Sequence, residues 1–284
     1  MNAPMVSIVV PTLNQAPFIE QTLASIVGQN WPRLELIVVD GGSIDGTRAI
    51  VECYAAHVTH FLSEPDRGQA DAINKGMRLA TGDILAWLNS DDYYLPLAIS
   101  RAVAALENPA LPRLAYGGCL LWFEAGPRAR IAHPGPFDRS ALATSSFLYQ
   151  PSAFWTRALW EKAGPLDESK HFVLDWEWWL RASAHADFVA IAPCLSVYRF
   201  HASHKTGSGS PRRTQEILEL VEKHATPEWG AAFHAVARQL PALDATFRLC
   251  AGRRGWWTLR KLLHLDLYAR HGPRVDLAFG QLHT

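Results

Sequence analysis

The chain has 284 residues, with 27 Lys and Arg against 27 Asp and Glu, so its formal net charge is zero; 49% of it is hydrophobic and 19% charged. That balance excludes a chain disordered throughout, which needs low hydrophobicity and high net charge, and a polycation that grips nucleic acid by charge alone. The zero is uneven: residues 1–110 carry 6 cations and 12 anions, residues 111–210 carry 10 and 8, and residues 211–284 carry 11 and 7, which points to different tasks at the two ends.

The first half alternates strands and helices. Met5–Val10 is a β-branched apolar run that stops at Pro11 and reads as a buried strand. Residues 15–28 follow with Phe18, Ile19, Leu23, Ile26 and Val27 at helical spacing. Leu34–Val39 is the second strand, and Asp45-Gly46-Thr47 starts a helix that runs to residue 56. Val58–Leu62 is the third strand, residues 69–80 a helix, and Ile84–Leu88 the fourth strand, with Pro96 placed in the first turn of another helix. Strands of this continuous apolar kind belong to a parallel sheet covered on both faces.

Residues 111–200 mix strands at 114–123, 152–156, 187–191 and 195–200 with helices at 157–163 and 174–184. A Ser- and Gly-rich loop, His204–Pro211, follows, and residues 211–284 read as helices. The expected domains are therefore 1–210, made of a 1–110 half and a 111–210 half, and a helical extension over 211–284. Cys53, Cys119, Cys194 and Cys250 lie far apart with no C-x-x-C pair, which reads as buried thiols in a reducing compartment. No basic segment leads into an apolar one at the start and no 18-residue apolar stretch occurs, so the expected location is the cytoplasm.

Ligands of open α/β sheets bind at the carboxyl ends of the strands. The polar residues gather there: Thr12 and Asn14 after the first strand, Asp40 after the second, Glu64 and Asp66 after the third, Asp91 and Asp92 after the fourth. In Asn89-Ser90-Asp91-Asp92, two adjacent carboxylates stay ionised only if a cation or hydrogen-bond donors compensate them, and hard oxygen ligands suit Mg²⁺ or Mn²⁺. The plainer reading is a solvated turn that caps the next helix. Asp40-Gly41-Gly42-Ser43 lets backbone approach a ligand, with Asp40 able to accept from a base or ribose; it is neither G-x-G-x-x-G nor a P-loop. Arg67, Lys75 and a helix N-terminus could face a diphosphate, although Asp71 and Lys75 also stand at the spacing of a surface ion pair.

Taken together, these stretches resemble the family 2 glycosyltransferases of GT-A fold. The matching segments are Val9–Asn14, Val39–Thr47, Glu64–Gly76, Trp87–Asp92, Gln150–Trp155, Gly164–Glu168 and Asp175–Arg181, and the resemblance spans residues 5–205. It implies an α/β fold of GT-A type: a Rossmann-like, mostly parallel central sheet flanked by helices, with a helical C-terminal extension. It implies a metal-dependent, inverting enzyme that moves a sugar from a nucleotide-diphosphate donor (UDP-, GDP- or dTDP-sugar) to a hydroxyl of a glycan or lipid-linked acceptor in surface polysaccharide assembly. On that resemblance the nucleotide-sugar site comprises Pro11, Thr12, Asn14, Asp40, Asp66, Arg67, Asp71, Lys75, Asn89 and Asp91, with Asp40 at the base and Asp91 near ribose and metal. The family's metal motif is often D-x-D; here Asn89 takes its first position, so Mn²⁺ or Mg²⁺ rests on Asp92 and Asp91, with His201 as a further ligand.

The family's catalytic base is the Asp of a Glu-Asp pair, which is Leu174-Asp175 here, so the resemblance makes Asp175 the base. Trp176 beside it would desolvate it and raise its pKa. Glu177 is the competing base, and Trp176 and Glu177 are the acceptor-side candidates. Trp155, Trp160, Trp178 and Trp179 read as core. His201, His204 and Lys205 on a Ser/Gly loop suit a lid over a pyrophosphate.

Two other readings stand beside this one. A sugar-phosphate nucleotidyltransferase would carry a Gly-rich loop after the first strand, where Thr12-Leu13-Asn14-Gln15 stands instead. A non-catalytic sugar-nucleotide or glycan-binding module would have no need of Asp175 and Asp91-Asp92. No nucleic-acid partner is expected. The segment Arg253–Leu265 joins cations, paired Trp and a Leu-rich face, so it either lies on the inner face of the membrane or packs on the catalytic domain or a homodimer partner.

Overall fold

In a computed structural model of the chain, the described residues are 3–126, 128–205, 210–249 and 269. In chain order they form β1 (Val6–Thr12), α1 (Ile19–Val27), β2 (Leu34–Asp40), α2 (Thr47–Cys53), β3 (His60–Ser63), α3 (Gln69–Leu79) and β4 (Ile84–Trp87). Next come β5 (Tyr93–Tyr94), α4 (Ala98–Leu106), β6 (Leu114–Phe123), β7 (Arg128–Ala132) and α5 (Arg139–Leu142). The rest are β8 (Ala153–Thr156), α6 (Arg157–Ala163), α7 (Leu174–Ala182), β9 (Phe188–Phe200), α8 (Pro211–His224) and α9 (Pro227–Leu249).

The chain divides into two units, Met1–Phe137 with Phe147–His204, and Asp138–Ser146 with Lys205–Thr284. The division is not linear: Asp138–Ser146 joins the C-terminal residues although it lies inside the expected 1–210 domain.

The first unit holds one sheet in the order β3-β2-β1-β4-β8-β6-β9-β5, with β7 beside β6. β3, β2, β1 and β4 run parallel, β8 runs antiparallel to both β4 and β6, and β6 and β9 are parallel. All seven residues of β1 are buried, as a strand covered on both faces requires. α3 lies close on this sheet because Gly76 has no side chain; a Cβ there would overlap Val9. Beyond β4 the core is aromatic. Trp87 stacks on Trp179 at 5.8 Å, and Trp155 lies 5.0 Å from Trp178, all four essentially buried. These contacts lock α7 against β4 and β8, and so set where the start of α7 sits.

Three local expectations change. The strands expected at 187–191 and 195–200 are one strand, β9, whose pairing jumps from Gly117–Ile191 to Gly118–Cys194. Pro193 has no N–H to give a ladder and is accommodated in that irregularity. The helix expected to open at Pro96 starts at Ala98, after Leu97 takes a φ of 68°. β7 has no counterpart in the expected elements because it is an exposed strand with Arg at 128 and 130, without an apolar stripe. Among the described cysteines, Cys119 is buried but Cys53 is exposed, against the reading of all as buried thiols.

In the second unit, Asp138 caps α5 by accepting from the backbone N–H of Ser140 and Ala141. Ser210 caps α8 through the N–H of Arg212, with Pro211 in the first turn. α8 buries Ile217, Leu220 and Val221, and α9 buries Trp229, Phe233 and Val236. The segment Arg253–Leu265 lies outside the described residues.

Candidate active site

The strand order 3-2-1-4 reverses beside β1, which opens a crevice at the carboxyl ends of β1 and β4. Its first wall is built by the loops after β1 and β2. Asn14 has a φ of 53°, a left-handed conformation that Asn tolerates better than most residues. Its side-chain oxygen accepts from the Ile44 N–H at 3.0 Å, while its own N–H donates to Ser43 Oγ at 2.7 Å. Ser43 is held in turn by Asp40, whose carboxylate accepts from the Ser43 N–H and hydroxyl and from the Ser63 hydroxyl at 2.7 Å. Asp40 is completely buried. This corrects its expected place at the base: its oxygens are turned inward, where they stiffen the loop. Pro11 and Thr12 are buried at the end of β1, and the Thr12 carbonyl accepts from the Gly41 N–H at 2.9 Å.

Asp66 closes this wall from the loop after β3. One carboxylate oxygen accepts from the Gly68 N–H at 2.8 Å. The other lies against Gly41, 2.5 Å from where a Cβ on that glycine would stand.

The second wall is Asn89-Ser90-Asp91-Asp92. The Thr22 hydroxyl of α1 reaches the carbonyls of Ser90 and Asp92, at 2.9 and 2.6 Å. The Asn89 side chain accepts from Gln69 at 2.8 Å. Asp91 lies 3.0 Å from His201 Nε2, and the other ring nitrogen of His201 lies 2.9 Å from Ser203 Oγ. The Phe18 ring covers the imidazole at 4.4 Å. Asp92 turns the other way. It is fully buried, one oxygen accepting from the Arg199 N–H at 2.9 Å and the other without a hydrogen-bond partner. Burial, reinforced by the charge of Asp91, pushes its pKa well up. Asp92 thus joins the β4 end to β9 and, fully buried, leaves the open side of the motif to Asp91.

The metal question then rests on Asp91 and His201. Among the described residues no group of three or more His, Cys, Asp and Glu side chains comes together as a cation site. One carboxylate oxygen and one imidazole nitrogen do not enclose a structural ion. They do fit an ion of the Mn²⁺ or Mg²⁺ kind that completes its shell with phosphate oxygens and water.

Arg199 was not among the sequence candidates. It is buried, donates to the Asp91 carbonyl at 3.0 Å and to Gln21 at 2.5 Å, and pairs with Glu124 at 3.3 Å. Its guanidinium lies 4.9 Å from the Phe18 ring and 5.4 Å from the Tyr93 ring. The one available signal was an Arg two residues before His201, hence on the same face of an extended strand. His204, by contrast, bonds Tyr198 at 2.8 Å and packs on Phe200; burial lowers its pKa, and its role is in the aromatic end of β9.

The diphosphate candidates on α3 form a network of their own. Lys75 pairs with Glu64 at 2.8 Å and Asp71 at 3.6 Å; the bond to Glu64 is the main cause that raises its pKa. Arg67, largely exposed, bridges Asp71 at 3.1 Å and Glu168 at 2.5 Å. The Arg67 hydrogen bond draws Asp71 down to about 2. Asp71 and Lys75 therefore realise the ion-pair spacing seen in the sequence. Asn74 exchanges hydrogen bonds with Leu166 at 3.0 and 2.9 Å and donates to Glu168 at 3.1 Å, tying α3 to the loop that leads into α7.

At the start of α7, Asp175 is half-buried, and its carboxylate accepts from the Trp176 N–H at 2.7 Å. The two acceptor-side candidates are corrected. Trp176 is 2% exposed and offers no face to a sugar. Glu177 is buried and holds Arg181 at 2.7 and 2.9 Å, and Arg181 also reaches the carbonyls of Ala163 and Pro165, so this pair clamps α6 to α7. A base needs an open approach to its proton, which Glu177 lacks.

Residues 7–135 match the model of a family described as "Glycosyl transferase family 2". A PGL/p-HBAD biosynthesis glycosyltransferase of Mycobacterium bovis is 31% identical over 193 residues, which cover 66% of this chain and 73% of that protein. An uncharacterized glycosyltransferase of Mycobacterium tuberculosis is 30% identical over 223 residues, 76% of this chain and 81% of that one. Among solved structures, the mannosyltransferase PcManGT from Pyrobaculum calidifontis, in complex with GDP-Man and Mn²⁺, superposes with a TM-score of 0.63 at 21% identity, covering 99% of this chain and 86% of its own. S. aureus TarS 1-349 with UDP-GlcNAc has a TM-score of 0.58 at 16% identity, over 98% of this chain and 88% of that one. These two likenesses are of fold, and the fold they share is GT-A.

Proposed function

The chain belongs to glycosyl transferase family 2, and from that premise we propose that it moves a sugar from a nucleotide-diphosphate donor to a hydroxyl of a glycan or lipid-linked acceptor, with a divalent cation and with inversion at the anomeric carbon. The observation that carries this reading is the convergence of two walls on one crevice: Asn14, Gly41 and Asp66 on one side, Asp91 with His201 on the other.

In this reading the first wall takes the nucleoside, with Pro11 and Thr12 at the end of the strand beneath it. Asn89 and Asp91 face the ribose and diphosphate. Asp91 and His201 would hold the cation, which when bound would offset the charge that grows on the leaving nucleoside diphosphate. Arg67 is the one cation of the α3 network exposed enough to turn toward a phosphate. Asp175 takes the proton of the acceptor hydroxyl. The freed oxygen attacks the anomeric carbon as the bond to the diphosphate oxygen breaks on the opposite face. The electron pair of that bond leaves with the nucleoside diphosphate.

Among the described residues no helix is long and apolar enough to cross a membrane. We propose a cytoplasmic enzyme that meets lipid-linked acceptors at the inner membrane face through its basic C-terminal segment, in surface polysaccharide assembly. Binding to anionic liposomes with and without residues 252–284 tests this; equal binding refutes it.

The main test is a thermal-shift panel of UDP-, GDP- and dTDP-sugars with and without Mn²⁺, followed by transfer assays on Asp175→Asn. A donor that raises Tm only with Mn²⁺, together with a variant that binds it and fails to transfer, is the expected result. No shift with any donor, or a variant with wild-type rates, refutes the reading.

A further inference from the structure

Asp40 and Asp66 both stand at the carboxyl ends of the strands that flank the nucleoside wall, but only one offers an oxygen to a ligand. Asp40 is fully buried and bonded to Ser43 and Ser63. Asp66 is half-buried, and its Oδ1 is fixed by the Gly68 N–H at 2.8 Å. That grip depends on Gly68, whose φ of 120° suits glycine alone. Asp66 Oδ2 has no hydrogen-bond partner among the described residues and rests over Gly41, 2.5 Å from the place of a missing Cβ. Any side chain at position 41 would displace it. The Gly41 N–H, bonded to the Thr12 carbonyl at 2.9 Å, keeps this floor level with the end of β1.

We propose that Asp66, in place of Asp40, reads the donor's nucleobase: Oδ2 accepts a ring N–H of the base, while Gly41 leaves the room for it to do so. The inference rests on the nucleotide-sugar reading above and names the substrate class within it. Uracil and thymine carry a ring N–H at N3 and guanine carries one at N1. Adenine and cytosine present a bare ring nitrogen there, whose lone pair faces the carboxylate unfavourably. The donor is therefore a uridine, thymidine or guanosine diphosphate sugar, and the carboxylate discriminates because an unmatched charged acceptor is costly.

The experiment measures binding of UDP, dTDP, GDP, ADP and CDP by calorimetry in the presence of Mn²⁺. The preferred nucleotide is then compared with its form methylated at the ring nitrogen, N3 for UDP and dTDP or N1 for GDP. Wild type is expected to bind the methylated form about tenfold or more weakly. In Asp66→Ala the parent nucleotide weakens to the same level, so the two forms become equal. Should that variant fail to fold, Gly41→Ala, whose Cβ displaces Oδ2, takes its place in the same comparison. Indifference of the wild type to methylation, or discrimination that persists in Asp66→Ala, overturns the proposal and leaves the nucleotide-sugar reading standing. Failure to bind any of the five nucleotides overturns that reading itself.

Discussion

The two ends of the parallel strands use the same residue types to opposite effect. At the amino ends, Glu35 of β2 accepts from Ser7 at 2.5 Å and from the Thr81 N–H and hydroxyl at 2.8 and 2.9 Å, and the Gly82 N–H closes on Ser7 at 2.8 Å. Burial opposes ionisation of Glu35, yet these donors outweigh it and hold its pKa below the usual range. At the carboxyl ends, Asp66 Oδ2 has no described partner, and Thr12 Oγ1 and Asp92 Oδ2 are buried without one. A saturated carboxylate is part of the fold. A carboxylate with an open valence is where a ligand gains most from binding.

Four substitutions sharpen or break that contrast. The largest effect is expected for Asp91→Asn, which should lower the metal-dependent transfer rate about a hundredfold or more while Tm barely moves. Initial rates over a Mn²⁺ titration measure it, and a rate within a factor of two of wild type would falsify the assignment. Next, Arg199→Met loosens the Asp91 carbonyl and the strand that carries His201. The Mn²⁺ concentration for half-maximal rate should rise about tenfold, as for other supports of a metal ligand; an unchanged midpoint would leave Arg199 a packing residue only.

The third acts at the saturated end. Glu35→Ala strands the Ser7 and Thr81 donors and should cost about 2 kcal/mol of stability by denaturant unfolding, with kcat of the folded enzyme unchanged. A kcat that fell with Tm held constant would erase the contrast between the two ends.

The smallest effect is Asp71→Asn. The folded pKa of Asp71 is depressed to about 2, so its contribution is fully present above the unfolded value of 3.8 and is lost as pH falls toward 2. Wild type should lose Tm between pH 4 and pH 2 more steeply than the variant; parallel profiles in that window speak against the Arg67–Asp71 bond.

Much of this was legible in the chain. The runs Leu34–Val39 and Ile84–Leu88 read as buried strands because a parallel strand is apolar on both faces, and each lies within a residue of the observed bounds. The clustering of polar residues after each strand was visible for the same reason. What escaped was direction. Asp40, Trp176 and Glu177 sit in the right segments, but each is buried inside the fold. A sequence does not say which oxygen faces the crevice, because the partners that turn it, Ser63 for Asp40 and Arg199 for Asp92, come from distant strands.

The sequence by itself determined the alternation of strand and helix, the family and the segments that line the crevice, since periodicity and local motifs act over a few residues. Only the tertiary structure decided which acids remain open. Asp66 is open because Gly41, twenty-five positions earlier, lacks a side chain, and Asp91 is poised because β9 brings His201 beside it. Both depend on chain segments meeting across the sheet. There the balance of burial against hydrogen bonding, rather than residue type, decides whether a carboxylate stabilises the fold or meets a ligand.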